Sequence, residues 1–175
     1  MIGKKRRAEE STEFEAFAHS RGQRLFRTAL LLCGDWHLAE DLTQVTLAKL
    51  YASWPKVRRA ENQDAYARST LVRSYLSHRR LRRTGEQPAL GELPEGVAPS
   101  NDDPALRVTL LAALAELPPR DRAVLVLRYW EDRSVEESAA ELGLSAGAVR
   151  TQSLRALKRL RAVLGPQTAE QLAAS

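Results

Sequence analysis

Residues 134–160 read SVEESAAELGLSAGAVRTQSLRALKRL, and this stretch decides the fold. Ser134 and Glu137 have the spacing at which a hydroxyl and a carboxylate satisfy each other's orphan amides at a helix start. The helix they open is short, because Gly143 supplies a residue tolerant of left-handed geometry at the turn. Ser145 then caps a longer helix over about residues 146–164. Two helices that meet steeply need small residues at the crossing, and Ala139 and Ala140 provide them. Leu142, Leu144 and Val149 are placed to seal the joint from inside. The exposed face of the second helix carries Arg150, Thr151, Gln152, Arg155, Lys158 and Arg159. Arginine and glutamine can read base edges in the major groove, and lysine and the more distal arginines suit phosphates. The helix start behind Ser145 also favours a phosphate. The pattern is a helix-turn-helix that reads duplex DNA; a packed helical hairpin is the plainer alternative. Ser138 and Ser153 depart from it, each standing where a larger aliphatic residue normally packs.

Upstream, Asp103 and Pro104 start a helix with proline in its first turn, where a missing N–H costs nothing. Leu106, Leu110, Leu111, Leu114 and Leu117 form its apolar stripe, which Pro118 and Pro119 stop. A helix of roughly residues 121–130 follows, with Val124, Leu125, Leu127 and Tyr129 apolar. Residues 84–102 differ in kind: Gly85, Pro88, Gly91, Pro94, Gly96 and Pro99 break any helical stripe, and four acids accompany them. Such composition predicts a flexible acidic linker between domains. Before it, Thr12 and Glu15 form a second candidate capping box, and Phe14, Phe17, Leu25, Phe26, Ala29, Leu30 and Leu32 give a helix up to Gly34. Asp35 caps a helix that Pro55 ends, a basic loop covers residues 56–61, and Asn62 caps a third helix to about Arg83.

The expected architecture is all-α: a disordered tail (1–10), a helical domain (11–83), the linker (84–102), a helix-turn-helix domain (103–165) and a loose C-terminal tail (166–175). Charge follows these divisions. Residues 56–83 hold nine basic and two acidic residues, residues 84–119 hold one basic and six acidic, and residues 143–165 hold five basic and no acidic ones. Two basic blocks around an acidic stretch point to two contacts with a polyanion, of which DNA is the commonest; two solvated helix faces are the alternative.

The inventory argues against catalysis. His19, His37 and His78 fall on separate helices, and Cys33 with His37, Asp35 and Asp41 makes no complete zinc set. No Gly-rich phosphate loop or nucleophile motif is present, so no enzyme, metal, cofactor or small-molecule substrate is expected. The single cysteine offers no internal disulfide, the longest apolar run, at residues 29–33, is too short to span a membrane, and the basic N-terminus leads into no signal sequence. A cytoplasmic protein is the default.

Three segments together resemble the extracytoplasmic-function (ECF) sigma factors, small members of the sigma-70 family, and the actinobacterial-type branch most closely. Residues 35–54, DWHLAEDLTQVTLAKLYASW, look like the family's core-binding helix; residues 117–129, LPPRDRAVLVLRY, are similar to the start of its second domain; residues 143–161 are similar to its recognition helix. The resemblance covers residues 13–164. It implies a first domain that binds core RNA polymerase and the promoter −10 element, and a second that binds the −35 element. On the matching positions Glu40, Asp41, Thr43, Gln44 and Leu47 would face the clamp helices of the polymerase β′ subunit, with the β subunit a further contact. Arg58, Arg59, Asn62, Tyr66, Arg68 and Arg73 would meet the −10 element, and Ser145, Arg150, Thr151, Gln152, Arg155, Lys158 and Arg159 the −35 element. Arg79, Arg80, Arg82 and Arg83 would hold phosphates or lie solvated. The family's usual tryptophan early in the third helix is absent, and Tyr66 stands nearby. An anti-sigma factor is a further implied partner, and the linker would lie in a basic polymerase channel. A helix-turn-helix regulator acting without polymerase accounts for the second domain but leaves residues 35–54 and the first basic block unexplained; an interaction adaptor, its basic faces merely solvated, is a third reading.

Overall fold

The computed structural model describes residues 2–82 and 104–165, with side chains over 6–82 and 108–165. The expected linker, Asp103 and the tail 166–175 lie outside the described residues. Helix α1 (Ile2–Cys33) starts much earlier than the sequence suggests. Residues 4–10 are lysine, arginine, alanine and glutamate, all strong helix formers, so the expected tail continues the helix. Arg58 supports this turn by reaching Glu10 at 3.8 Å and Glu13 at 3.3 Å. Thr12 therefore caps nothing: mid-helix, its hydroxyl donates back to the Ala8 carbonyl at 3.1 Å.

Gly34 closes α1 at φ 71°, and Asp35 caps α2 (Trp36–Ala52) by accepting the Leu38 amide at 2.7 Å. Pro55 does not end α2, which stops at Ala52. It opens instead a single turn, α3 (Trp54–Val57), so Lys56 and Val57 belong to a helix rather than to the expected loop. Asn62 accepts the Ala65 amide at 2.9 Å and begins α4 (Gln63–Arg82). Helices α1, α2 and α4 enclose a core of Phe17, Leu25, Leu32, Leu42, Leu50, Leu71 and Tyr75, with Trp54 set edge-on to Phe14 at 5.3 Å.

The second half comprises α5 (Pro104–Ala115), α6 (Pro119–Leu125), a π-helical turn (Val126–Trp130), α7 (Val135–Leu142) and α8 (Ala146–Leu164). Among the described residues there is no strand. Ser134 and Glu137 form the predicted capping box, Gly143 is left-handed at φ 66°, and Ser145 accepts the Ala148 amide at 3.1 Å. Ser138 and Ser153 are buried, and their hydroxyls have no hydrogen-bond partner among the described residues.

The run of residues 123–127 is apolar on every side and accordingly buried all round. Val124 meets Ala139 and Val149, and Leu125 meets Leu110, Leu114, Ala156 and Leu160. Ala123, Val126 and Leu127 point the other way and complete the core of α1, α2 and α4. Tyr129, expected in the apolar stripe, is 51% exposed because the wider π turn carries it outward. The two halves of the chain thus share a core.

Candidate polymerase and nucleic-acid interfaces

Helix α2 turns Glu40, Asp41 and Gln44 outward, and Glu40 lies 3.6 Å from His37 Nδ1. Thr43 does not join them. It is 6% exposed, and its hydroxyl donates to the Ala39 carbonyl at 2.7 Å; Leu47 is half-buried against the core. Val45 and Tyr51, expected among the apolar positions of this helix, adjoin the acidic face and are 46% and 48% exposed.

The −10 candidates divide. Arg59, Asn62, Tyr66 and Arg73 are exposed, although the Asn62 carbonyl is engaged in capping α4. Arg58 leans on Glu10 and Glu13 of α1. Arg68 is 4% exposed and lies between the two halves of the chain, where its guanidinium donates to Glu141 of α7 at 2.8 Å and 3.4 Å and approaches Glu131 at 4.0 Å. In this arrangement Arg68 is closed to DNA, because α7 covers it. Tyr66, Arg73 and Asn62 line a cleft of about 320 Å³ whose other wall is Ala140 and Glu141.

Other polar contacts cross the same boundary. Arg24 of α1 donates to Glu131 at 2.8 Å, the Thr28 hydroxyl donates to its other oxygen at 2.5 Å, and Ser69 donates to the Glu141 carbonyl at 3.1 Å. Arg122, buried on α6, donates to the Leu32 and Leu114 carbonyls. Burial pushes the Glu141 carboxyl above its ordinary range even with Arg68 beside it, and lowers Arg122.

On α8, Arg150, Thr151, Arg155, Lys158 and Arg159 are exposed and Gln152 is half-buried. Arg150 pairs with Glu136 at 3.0 Å across the helix-turn-helix. Gln152, Arg155 and Arg159 all converge on Asp121 of α6, which the sequence reading left out; nothing local to residue 121 announces a link to a helix thirty residues on. Leu154, 72% exposed on the same helix, was also passed over. Arg73, Arg79 and Arg80 of α4 face Arg120, Arg155 and Arg159 across a cleft of about 850 Å³. Six arginines against one carboxylate, Asp121, leave the space with a net positive charge that favours an anionic occupant. Among the described residues no group of three or more metal-ligating side chains is present, and no helix is long and apolar enough to cross a membrane.

Comparison with known proteins matches residues 17–84 to Sigma-70 region 2 and residues 107–160 to Sigma-70 region 4. The RNA polymerase sigma-E factor of Streptomyces coelicolor is 39% identical over 153 residues, covering 87% of this chain and 86% of that protein. The chain belongs to the RNA polymerase sigma factor family. The ECF RNA polymerase sigma factor SigL of Mycobacterium tuberculosis is 30% identical to this sigma factor over 164 residues, covering 90% and 92% of the two chains. The sigma factor RpoE of Bartonella quintana, solved with the anti-sigma factor NepR, shares its fold with a TM-score of 0.72 at 23% identity, covering 87% of this chain and 96% of that one. In this sigma factor the first match runs from within α1 through α4, and the second from within α5 into α8.

Proposed function

We propose that this chain binds core RNA polymerase through the exposed face of α2, with Glu40, Asp41 and Gln44 at its centre, and carries it to promoters read by α4 and α8. It acts by binding in the cytoplasm and performs no chemistry of its own. The observation that carries the reading is the separation of charge in space: one acidic helix face with apolar neighbours, and two basic faces on α4 and α8. A protein surface and a polyanion are thereby offered different helix faces. Arg59, Tyr66 and Arg73 are the −10 contacts, tyrosine supplying a stacking surface for an unpaired base. Arg150, Thr151, Gln152, Arg155, Lys158 and Arg159 are the −35 contacts.

The packed arrangement is a polymerase-free state that opens. Elements named −10 and −35 lie about 25 base pairs apart, or about 85 Å of duplex at 3.4 Å per pair. A compact chain of this length has a radius of gyration of about 16 Å and is about 40 Å across. It cannot touch both elements while α7 sits on α4. Opening frees Arg68 for DNA and uncovers Ala123, Val126 and Leu127, which a polymerase subunit or an anti-sigma factor would cover in turn.

The test is run-off transcription with core polymerase on a library of randomised promoters. A sigma factor selects a pair of elements at fixed spacing and only with core enzyme present. Selection of a duplex site without polymerase would instead establish a free-standing regulator, and no selection in either case an adaptor.

A further inference from the structure

Asp121 is 1% exposed, yet three polar side chains of α8 end on it. Gln152 Nε2 donates to Oδ1 at 3.0 Å, an Arg155 Nη donates to the same oxygen at 3.2 Å, and an Arg159 Nη donates to Oδ2 at 2.5 Å. The three donors recur along a single stripe of the helix. Asp121 also stands in the first turn of α6, where the helix dipole favours a carboxylate. That local benefit would be served by a carboxylate facing water; it does not explain why one buried carboxylate gathers three donors from another helix.

The consequence falls on the donors. Arg155 and Arg159 remain 54% and 47% exposed while one N–H of each is fixed on Asp121. A guanidinium has five N–H donors in a rigid fork, so anchoring one edge aims the others. An unanchored arginine beside DNA finds the nearest phosphate, which carries no sequence information; an aimed one can address a base edge with two donors.

We propose that Asp121 is a positioning residue for −35 readout: it aims Gln152 and Arg155 at base edges and keeps Arg159 from wandering between phosphates. This rests on the promoter reading above, and deepens it by placing specificity partly in a residue that touches no DNA.

The experiment uses the full chain with core polymerase on a library randomised at the −35 element, at several salt concentrations, comparing wild type, Asp121→Asn, Arg155→Ala and the double variant. Arg155→Ala identifies the base pair that Arg155 reads. Asp121→Asn is expected to lower discrimination at that pair by about tenfold, the order that follows from releasing rotamer-rich side chains. It should also steepen the dependence of binding on salt by about one unit of log–log slope, as a freed arginine gains a phosphate. In the Arg155→Ala background it should change nothing further at that pair. A uniform loss at every position with an unchanged salt slope would make Asp121 merely structural. Tighter binding with an unchanged base preference would make it merely a competing charge. Either overturns the proposal. Should Asp121→Asn fail to fold, Arg155→Lys, at a half-exposed position, keeps the charge but not the fork; it should erase the same preference, and a retained preference overturns the proposal. If wild type itself selects no −35 sequence, the promoter reading fails; if it selects one that Asp121→Asn leaves intact, only the role of Asp121 fails.

Discussion

Removing the Glu141 carboxylate tests whether the packed state restrains the protein. In the packed state the Arg68 and Glu141 side chains are 5% and 7% exposed and 2.8 Å apart. Glu141→Ala would leave the guanidinium buried with Glu131 as its nearest acid, at 4.0 Å. Breaking a buried pair from one side costs about 3–5 kcal/mol, because the remaining charge is stranded. Glu131 and the entry of water hold the loss to the lower end, about 3 kcal/mol. The chain can escape this cost by opening and wetting Arg68, so the same energy shifts the balance of packed and open forms by on the order of 100-fold. Small-angle scattering should then show a radius of gyration well above the roughly 16 Å of a compact chain. Titration of labelled protein with core polymerase should show an apparent Kd lower by up to the same factor, since affinity scales with the competent fraction. An apolar pair, Arg68→Met with Glu141→Leu, strands no charge and should restore the compact radius. If Glu141→Ala keeps its melting transition, its radius and its affinity for core, the ion pair restrains nothing and the argument for opening fails.

Three further outcomes follow from single residues. Ser138→Ala should raise stability by about 1 kcal/mol in urea unfolding, because it deletes a buried hydroxyl that has found no partner; a loss would mean that Ser138 holds an ordered water. Burial raises the Cys33 thiol to about 11, so at pH 8 its thiolate is on the order of 100-fold scarcer than at the ordinary value of 9.0. Alkylation should be slow by that factor until urea unfolds the chain; rapid labelling of the native protein would refute the burial. Hydrogen bonding to Ser134 holds the Glu137 carboxyl below its ordinary 4.5, so this group stabilises α7 above that value and the benefit is lost as pH falls through the lowered one. Protection factors of the amides at the start of α7 should fall over that acid window, and Glu137→Gln should remove this pH dependence.

The sequence by itself determined the elements whose chemistry is local. Ser134 and Glu137, Gly143, Ser145, Asp35 and Asn62 each act on groups within a few residues, so helix starts and the turn of the DNA-reading motif could be placed without coordinates. Local signals also misled where an equally good local alternative existed: Thr12 has the spacing of a cap, but continuous helix formers on both sides absorb it, and Pro55 starts a turn as readily as it ends one. Only the tertiary structure decided that the two halves share a core through Ala123, Val126 and Leu127, that α7 covers Arg68, and that Asp121 gathers the side chains of α8. Glu141 lies 73 residues from Arg68, and Gln152 lies 31 from Asp121. No periodicity or cap links such pairs along the chain. A buried arginine and an exposed one look alike in sequence, and what separates them is the surface that folding brings against each.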